Sequence, residues 1–222
     1  MMDSLFNKTS TYEFFCVFIS GMIMLVITFF VFPDLFFVFD IFENVNEWIV
    51  LIVCLLIGYI VGIVLEELGV CFEKICNILG NDACHSFLND DNGIIKNGIE
   101  LQEYRKYAIA ILNEKNEFYN GDCFTKEQCC YIYYYCRKKI ESKPLGKKVN
   151  LIRALYGMTR SLVAGILLIL LIIFVVSIFR PMYSLILIIE FIVLFLILLL
   201  MVRRCRRFSR LKVREVLKYF SM

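Results

Sequence analysis

Long apolar runs, separated by polar segments, dominate the pattern of residues along the chain. A transmembrane helix needs about 20 apolar residues in a row. Four stretches come close to this length or exceed it: residues 14–32, 48–65, 156–179 and 182–202. Because continuous apolar runs lack the alternation of barrel strands, they predict helices. The pattern therefore predicts an all-α polytopic membrane protein with two transmembrane hairpins, within residues 1–65 and 156–202.

The distribution of charge predicts the orientation of these spans. Residues 33–47 contain acidic side chains and no Lys or Arg, whereas most of the Lys and Arg residues lie in segments 66–155 and 203–222. Basic segments stay on the cytoplasmic side of a membrane. We therefore expect both termini and the central segment in the cytoplasm, and the bacterial inner membrane as the location.

The central segment, residues 66–155, is too polar for lipid and predicts a small helical cytoplasmic domain, built partly on extensions of the second and third spans. Within it, residues 100–119 predict a helix with an apolar face, made by Leu101, Tyr104, Ala108, Ile111 and Leu112. Thr125 and Gln128 fit a capping box, which predicts a second helix running to Lys139. The tail, residues 203–222, predicts a helical continuation of the fourth span.

Composition agrees with the membrane class and limits the chemistry. The chain is 60% hydrophobic, above the 45–50% or so of a soluble domain. Seven of its ten cysteines lie in the central segment, where the reducing cytoplasm is expected to keep them as thiols, and the other three lie in or beside apolar runs. The cysteines of the central segment, with His85, could supply zinc ligands, but their spacing matches no CxxC pair, so no metal site is predicted. No P-loop, GxSxG, HExxH or dinucleotide-binding pattern is present, so neither a cofactor nor an enzymatic activity is predicted.

Glu190 is the strongest candidate for a functional residue because it lies inside the fourth apolar run. A charged side chain at the bilayer centre costs about 2.5–3.5 kcal/mol. Glu190 must therefore face protein or water, or be protonated. It either lines a pore or takes part in proton-linked chemistry, or it hydrogen-bonds to a neighbouring span or subunit, for example through Thr28, Ser177 or Tyr59. Arg160 has the opposite charge but lies too far along the third span to pair with Glu190 within one subunit.

Three further groups of residues are candidate surfaces. Glu66 and Glu67 either ring a pore mouth or end the second span in solvent. Gly58 and Gly62 form a GxxxG pattern, and Gly165 lies on a comparable face of small residues in the third span. Such residues let helices approach closely, either between subunits or within the monomer. The tail predicts either a surface for anionic lipid or an acidic partner, or an ordinary positive-inside anchor, through Arg203, Arg204, Arg206, Arg207 and Arg210.

Two short stretches resemble the motifs of a known group of proteins. Residues 11–15 (TYEFF) leading to Ser20-Gly21 are similar to a Y-[DE]-F-F … P-G opening, with Ser20 where a proline is usual. Residues 58–62 (GYIVG), followed by Glu66-Glu67-Leu68, resemble the second span of the same group. These are small bacterial four-span proteins found beside anti-phage systems, including Hailong-type membrane effectors and accessory membrane proteins of type VI CRISPR systems. The resemblance implies a membrane-perturbing effector that is held closed until infection.

These features predict an oligomeric channel or pore-forming effector gated through its cytoplasmic domain. Oligomers are expected because four helices of one chain pack around a filled core without an aqueous path. The expected partners are the lipid bilayer, further copies of the chain, and a trigger that is a cytoplasmic protein, a nucleotide or a nucleic acid. The alternative is a membrane-anchored scaffold that binds and regulates a soluble cytoplasmic enzyme.

Overall fold

The computed structural model describes residues 14–32, 46–75, 82–89, 94–95, 98–114, 123–141, 146–179 and 184–220. Helices account for nearly all of these residues, and no strand occurs among them, which confirms the all-α class. We number the helices in chain order: α1 (Phe14–Val31), α2 (Glu47–Ile75), α3 (Asp82–Ser86), α4 (Gly98–Glu114), α5 (Lys126–Glu141), α6 (Gly146–Phe179) and α7 (Ser184–Phe220).

Three of these helices are long and apolar enough to cross a membrane. They are Phe14–Val31 in α1, Glu47–Lys74 in α2 and Gly146–Ile178 in α6, and they contain the first three predicted spans. The chain is therefore a membrane protein. The predicted fourth span begins at Met182, outside the described residues, and the part of it that is described is helical within α7.

The helix α2 continues beyond the predicted end of its span. The apolar run ends at Glu66 and Glu67, but the helix itself ends only at Ile75. Glutamate has a high helix propensity, so the two charges end the apolar pattern without ending the helix. In the same way α6 begins at Gly146, ten residues before the predicted start of the third span at Tyr156. Both helices thus have the predicted polar extensions.

The chain forms two compact units, which divide it differently from the predicted domains. The first, which we call the membrane unit, comprises Met1–Ile75 and Ala154–Cys205, and the second, the loop unit, comprises Cys76–Arg153 and Arg206–Met222. The residues of α6 and α7 are shared between the two units. The tail, predicted as a segment of its own at residues 203–222, places Val216 in the core of the loop unit.

In the membrane unit, α1 and α2 meet at glycines. The first six residues of α1, Phe14–Ile19, are π-helical, and the α-helix begins at Ser20. A Cβ atom on Gly21 would overlap the carbonyl oxygen of Gly58 and would lie 2.7 Å from the amide nitrogen of Gly62. The two backbones are therefore in direct contact, an approach that only small residues permit.

The loop unit has a hydrophobic core of its own. Buried side chains from α3, α4, α5, α6, α7 and the segments between them meet in it, among them Phe87, Leu112, Ile132 and Val216. The predicted apolar face of α4 is confirmed, since Leu101, Ala108, Ile111 and Leu112 are buried and Tyr104 packs against the core. The side chain of Asn89 joins two connecting segments, because it accepts from the Phe124 amide at 3.1 Å and donates to the Phe124 carbonyl at 3.2 Å.

The capping box predicted at the start of α5 is also confirmed. The Thr125 hydroxyl accepts from the Gln128 amide at 3.2 Å, and the Gln128 side chain accepts from the Thr125 amide at 3.0 Å. The helix that follows, Lys126–Glu141, extends two residues past the predicted end at Lys139.

Candidate functional site

A cluster of three polar side chains joins α2 to α6 in the membrane unit. Arg160 Nη1 donates to Glu73 Oε2 at 2.8 Å, and the Tyr156 hydroxyl donates to Glu73 Oε1 at 2.6 Å. The Arg160 and Glu73 side chains are only 11% and 14% exposed. Each oxygen of this carboxylate therefore has its own donor in a largely buried setting.

Helical spacing assembles the cluster on both sides. Tyr156 and Arg160 are four residues apart on α6, so they lie on one face of that helix, and Gly69 and Glu73 are related in the same way on α2. A Cβ atom on Gly69 would lie 3.2 Å from Cγ of Arg160. The missing side chain at Gly69 thus leaves room for the aliphatic stem of the arginine beside the carboxylate that it binds.

The cluster has a clear energetic role. Withdrawing two charges from water costs several kcal/mol per ion, and the attraction of the pair offsets this cost only when additional hydrogen bonds complete it. Tyr156 supplies such a bond. Breaking a buried pair by removing one partner costs about 3–5 kcal/mol, so Glu73, Tyr156 and Arg160 fix α2 against α6.

Glu190 lies in the apolar part of α7 with a different environment. Leu194 and Leu198 are buried, and Glu190 precedes Leu194 by one turn, so it belongs to the inward face of the helix. Its Oε2 atom is buried and has no hydrogen-bond partner among the described residues. Two of the polar side chains considered as its partners are engaged elsewhere, since the Thr28 hydroxyl donates to Met24 O and the Ser177 hydroxyl to Phe174 O.

An apolar cavity lies close to Glu190 along the chain. It has a volume of about 190 Å³ and is lined by residues of α6 and α7: Ile173, Phe174, Ser177, Ile188 and Phe191. Two of these, Ile188 and Phe191, flank Glu190 in sequence. Glu190 itself is not among the lining residues, so the cavity and the carboxylate are separate features of this part of α7.

The other predicted acidic and glycine positions are all on α2 or α6. Glu66 is partly buried and Glu67 is exposed, and both lie inside α2 rather than at its end. All three predicted contact glycines face α1 of the same chain. Gly58 lies against Met22, Gly62 against the backbone of Val17, and a Cβ atom on Gly165 would lie 2.7 Å from Cε of Met24.

The predicted basic surface is exposed. Every one of its five arginines lies on the solvent-accessible side of α7: Arg203, Arg204, Arg206, Arg207 and Arg210. The residues between them that point inward are Cys205 and Ser209, which are almost completely buried. The helix therefore separates a basic face from an inward face along this stretch.

Of the described thiols in the loop unit, Cys129 and Cys136 are buried, Cys84 and Cys130 are partly buried, and Cys123 is exposed. The part of the chain that the structure describes, which excludes Cys76, contains no set of three or more His, Cys, Asp or Glu residues able to hold a metal ion. Burial raises the pKa of the Cys129 thiol to about 11 and that of Cys136 to about 12. Since the thiolate is the form that binds metals and attacks substrates, these two cysteines are core residues at neutral pH.

The sequence singled out Arg160 but missed its partners, Glu73 and Tyr156. Glu73 lies 87 residues from Arg160 along the chain. The local signal that was available is the four-residue spacing of Tyr156 and Arg160, which places a hydroxyl and a guanidinium on one helix face. Nothing local indicates which carboxylate they bind.

Comparison with protein-family models, curated proteins and solved structures found no match to this chain. The resemblance to defence-associated membrane proteins therefore depends on the two short motifs alone, and residues 11–13 of the first motif lie outside the described residues.

Proposed function

We propose that the chain is a subunit of a homo-oligomeric membrane channel that is gated through its loop unit. The observation that supports this most directly is the carboxylate of Glu190, which has a buried oxygen without a partner in the described part of the chain. A charge at the bilayer centre costs about 2.5–3.5 kcal/mol. Neighbouring copies that enclose a water-filled path would remove most of that cost, because water and adjacent polar groups would then solvate the carboxylate.

The proposal includes a fourth span and an orientation. The apolar part of α7, residues 182–202, crosses the membrane, and the loop unit and the basic tail lie on the cytoplasmic side. The support is the location of the basic residues, which are absent from residues 33–47 and numerous in the segments assigned to the cytoplasm. The membrane is the bacterial inner membrane.

The outer surface of α2 supports the oligomer. Large apolar side chains are exposed on several sides of this helix, for example Trp48, Leu51, Leu56 and Ile57. A helix that is apolar all round is covered on every side in its working state. Lipid and neighbouring copies of the chain are the proposed covering.

The resemblance adds a biological setting and a trigger to the proposal. The channel serves anti-phage defence, has no enzymatic activity, and opens when a cytoplasmic protein, a nucleotide or a nucleic acid binds the loop unit. Such a trigger acts by binding the open state more tightly than the closed state.

Planar-bilayer recording with the purified full-length protein tests the proposal. We expect discrete currents from ring-shaped particles, and we expect Glu190→Gln to lower cation selectivity or current at least fivefold because a pore-lining charge is lost. Glu127→Gln is the matched control, since Glu127 is an exposed carboxylate on α5 that belongs to no candidate site, and it should change the current less than about twofold. Monomeric particles and electrically silent bilayers at all voltages would reject the channel.

A membrane-anchored scaffold is the second candidate. The observation that favours it is a set of large side chains left exposed on the folded loop unit: Ile99 at 71%, Tyr107 at 48% and Tyr134 at 60%. Tyrosine is enriched at the centres of protein interfaces. If the chain is a scaffold, Tyr134→Ser should abolish binding of the partner enzyme and Glu190→Gln should leave that binding unchanged. If it is a channel, Glu190→Gln should instead be the substitution that impairs function.

A further inference from the structure

The basic residues of α7 fall into two groups when their partners are compared. Arg204, Arg206, Lys212 and Lys218 each interact with another residue of the chain; the Nζ atom of Lys212, for example, lies 5.9 Å from the centre of the Tyr133 ring. Arg203, Arg207, Arg210 and Arg214 are exposed and have no ion pair or hydrogen bond with any described residue.

The four arginines of the second group lie on one line along the helix. Their spacings are four, three and four residues, so all four occupy a single narrow face of α7. The acidic residue available in this part of α7, Glu215, is engaged by Lys148 at 3.0 Å. No carboxylate of the described residues forms an ion pair with this line of guanidinium groups.

We infer that Arg203, Arg207 and Arg210 bind the phosphate groups of anionic phospholipids where α7 leaves the membrane. Arg203 directly follows Val202, the last residue of the apolar run. Guanidinium groups form paired hydrogen bonds with phosphate oxygens. A phospholipid headgroup is therefore the anion that lies closest to this face and that matches its chemistry.

The dimensions of the bilayer limit the site to three of the four arginines. The headgroup layer is about 5–8 Å thick on each side of the hydrocarbon core. At 1.5 Å per residue, Arg210 lies about 10 Å along the helix axis from Arg203, within reach for a long side chain, whereas Arg214 lies about 16 Å away. Arg214 is therefore the matched control. It lies on the same helix face and also lacks an ion pair with the described residues, but it is too far from Arg203 to reach the headgroup layer.

The inference rests on the fourth span that we propose, and it does not depend on conduction. Native mass spectrometry of the purified full-length protein, titrated with phosphatidylglycerol or with phosphatidylcholine, measures it. We expect the anionic lipid to bind more tightly, by about fivefold for each engaged arginine. The variant R203Q/R207Q/R210Q should lose this preference, and R214Q should change it less than about twofold.

Two further experiments test whether the preference depends on charge alone and whether a free phosphate can replace the lipid. Replacing the same three arginines by lysine should keep more than half of the preference, because the positive charge remains while the paired hydrogen bonds are lost. That variant also guards against a folding defect in the glutamine variant. Free glycerol phosphate at millimolar concentration should not displace the lipid, since a soluble phosphate is not concentrated at the membrane surface.

Specific outcomes would overturn the inference. Equal binding of the two lipids by the wild-type chain would reject the site, even if the same protein conducts ions. Equal losses in R203Q and R214Q would point instead to an extended acidic macromolecule along the whole line. A clear lipid preference in a protein that never conducts would reject the channel and leave the lipid site standing.

Discussion

Glu73 and Glu190 are both carboxylates on helices of the membrane unit, but they differ in their hydrogen bonding. Glu73 receives hydrogen bonds from Arg160 at 2.8 Å and from Tyr156 at 2.6 Å, whereas Glu190 has a buried oxygen without a partner among the described residues. A buried charge with a full set of donors stabilises packing, and one without them is costly. Glu73 therefore stabilises the contact of α2 with α6, whereas Glu190 makes no comparable contact with the described residues.

Removing the partner of the satisfied carboxylate should produce the largest effect. Arg160→Met leaves Glu73 buried with its charge uncompensated, and we expect the free energy of unfolding to fall by about 3–5 kcal/mol. Detergent titration followed by circular dichroism measures the loss. The double variant E73M/R160M should recover at least half of it, because apolar replacement of a whole buried pair is often neutral. A loss below about 1 kcal/mol in the single variant would mean that the pair is open to solvent.

Removing the neutral donor should have a smaller effect. Tyr156→Phe deletes one hydrogen bond to a charged acceptor and should lower the free energy of unfolding by about 1.5–3 kcal/mol. Tyr134→Phe is the control, because Tyr134 is 60% exposed and its hydroxyl is available to water. If both substitutions have the same effect, the bond to Glu73 contributes nothing specific.

The isosteric pair E73Q and E190Q tests the comparison itself. Glu73→Gln should destabilise the fold by about 1.5–3 kcal/mol because charged hydrogen bonds are weakened. Glu190→Gln should change the free energy of unfolding by less than about 1 kcal/mol or raise it, since a neutral amide is easier to bury than a charge. Detergent titration followed by circular dichroism measures the free energy of unfolding of both variants. A loss in E190Q as large as that in E73Q would show that the chain supplies a partner for Glu190, and the contrast would disappear.

The buried thiols of the loop unit should have the smallest effect on the free energy of unfolding at neutral pH, because they remain uncharged there. Burial raises the pKa of Cys129 to about 11 and of Cys136 to about 12. Between pH 9 and 11 the thiols of the unfolded chain lose their protons while the folded ones keep theirs, so the free energy of unfolding should fall as the pH rises. Alkylation mapped by mass spectrometry at pH 8 should reach the exposed Cys123 far sooner than Cys136. Equal rates would mean that the core opens readily.

Local features of this fold could be predicted from the sequence, and long-range ones could not. The capping box of Thr125 and Gln128 and the buried face of α4 depend on residues within one or a few turns, where spacing decides the contact. The pairing of Glu73 with Arg160 joins residues 87 positions apart, and periodicity does not encode such a match. The grouping of the tail with the loop unit has the same cause, since Val216 contacts residues far away along the chain that local spacing does not identify.

The helix α7 passes through both compact units as one element, Ser184–Phe220. Glu190 and Leu194 occupy its inward side near one end, and Val213 and Val216 are completely buried near the other. Rotation of α7 about its axis would pull both valines out of the hydrophobic core of the loop unit, and exposing two aliphatic side chains costs roughly 3–6 kcal/mol. The core therefore holds this end of the helix at one rotational position.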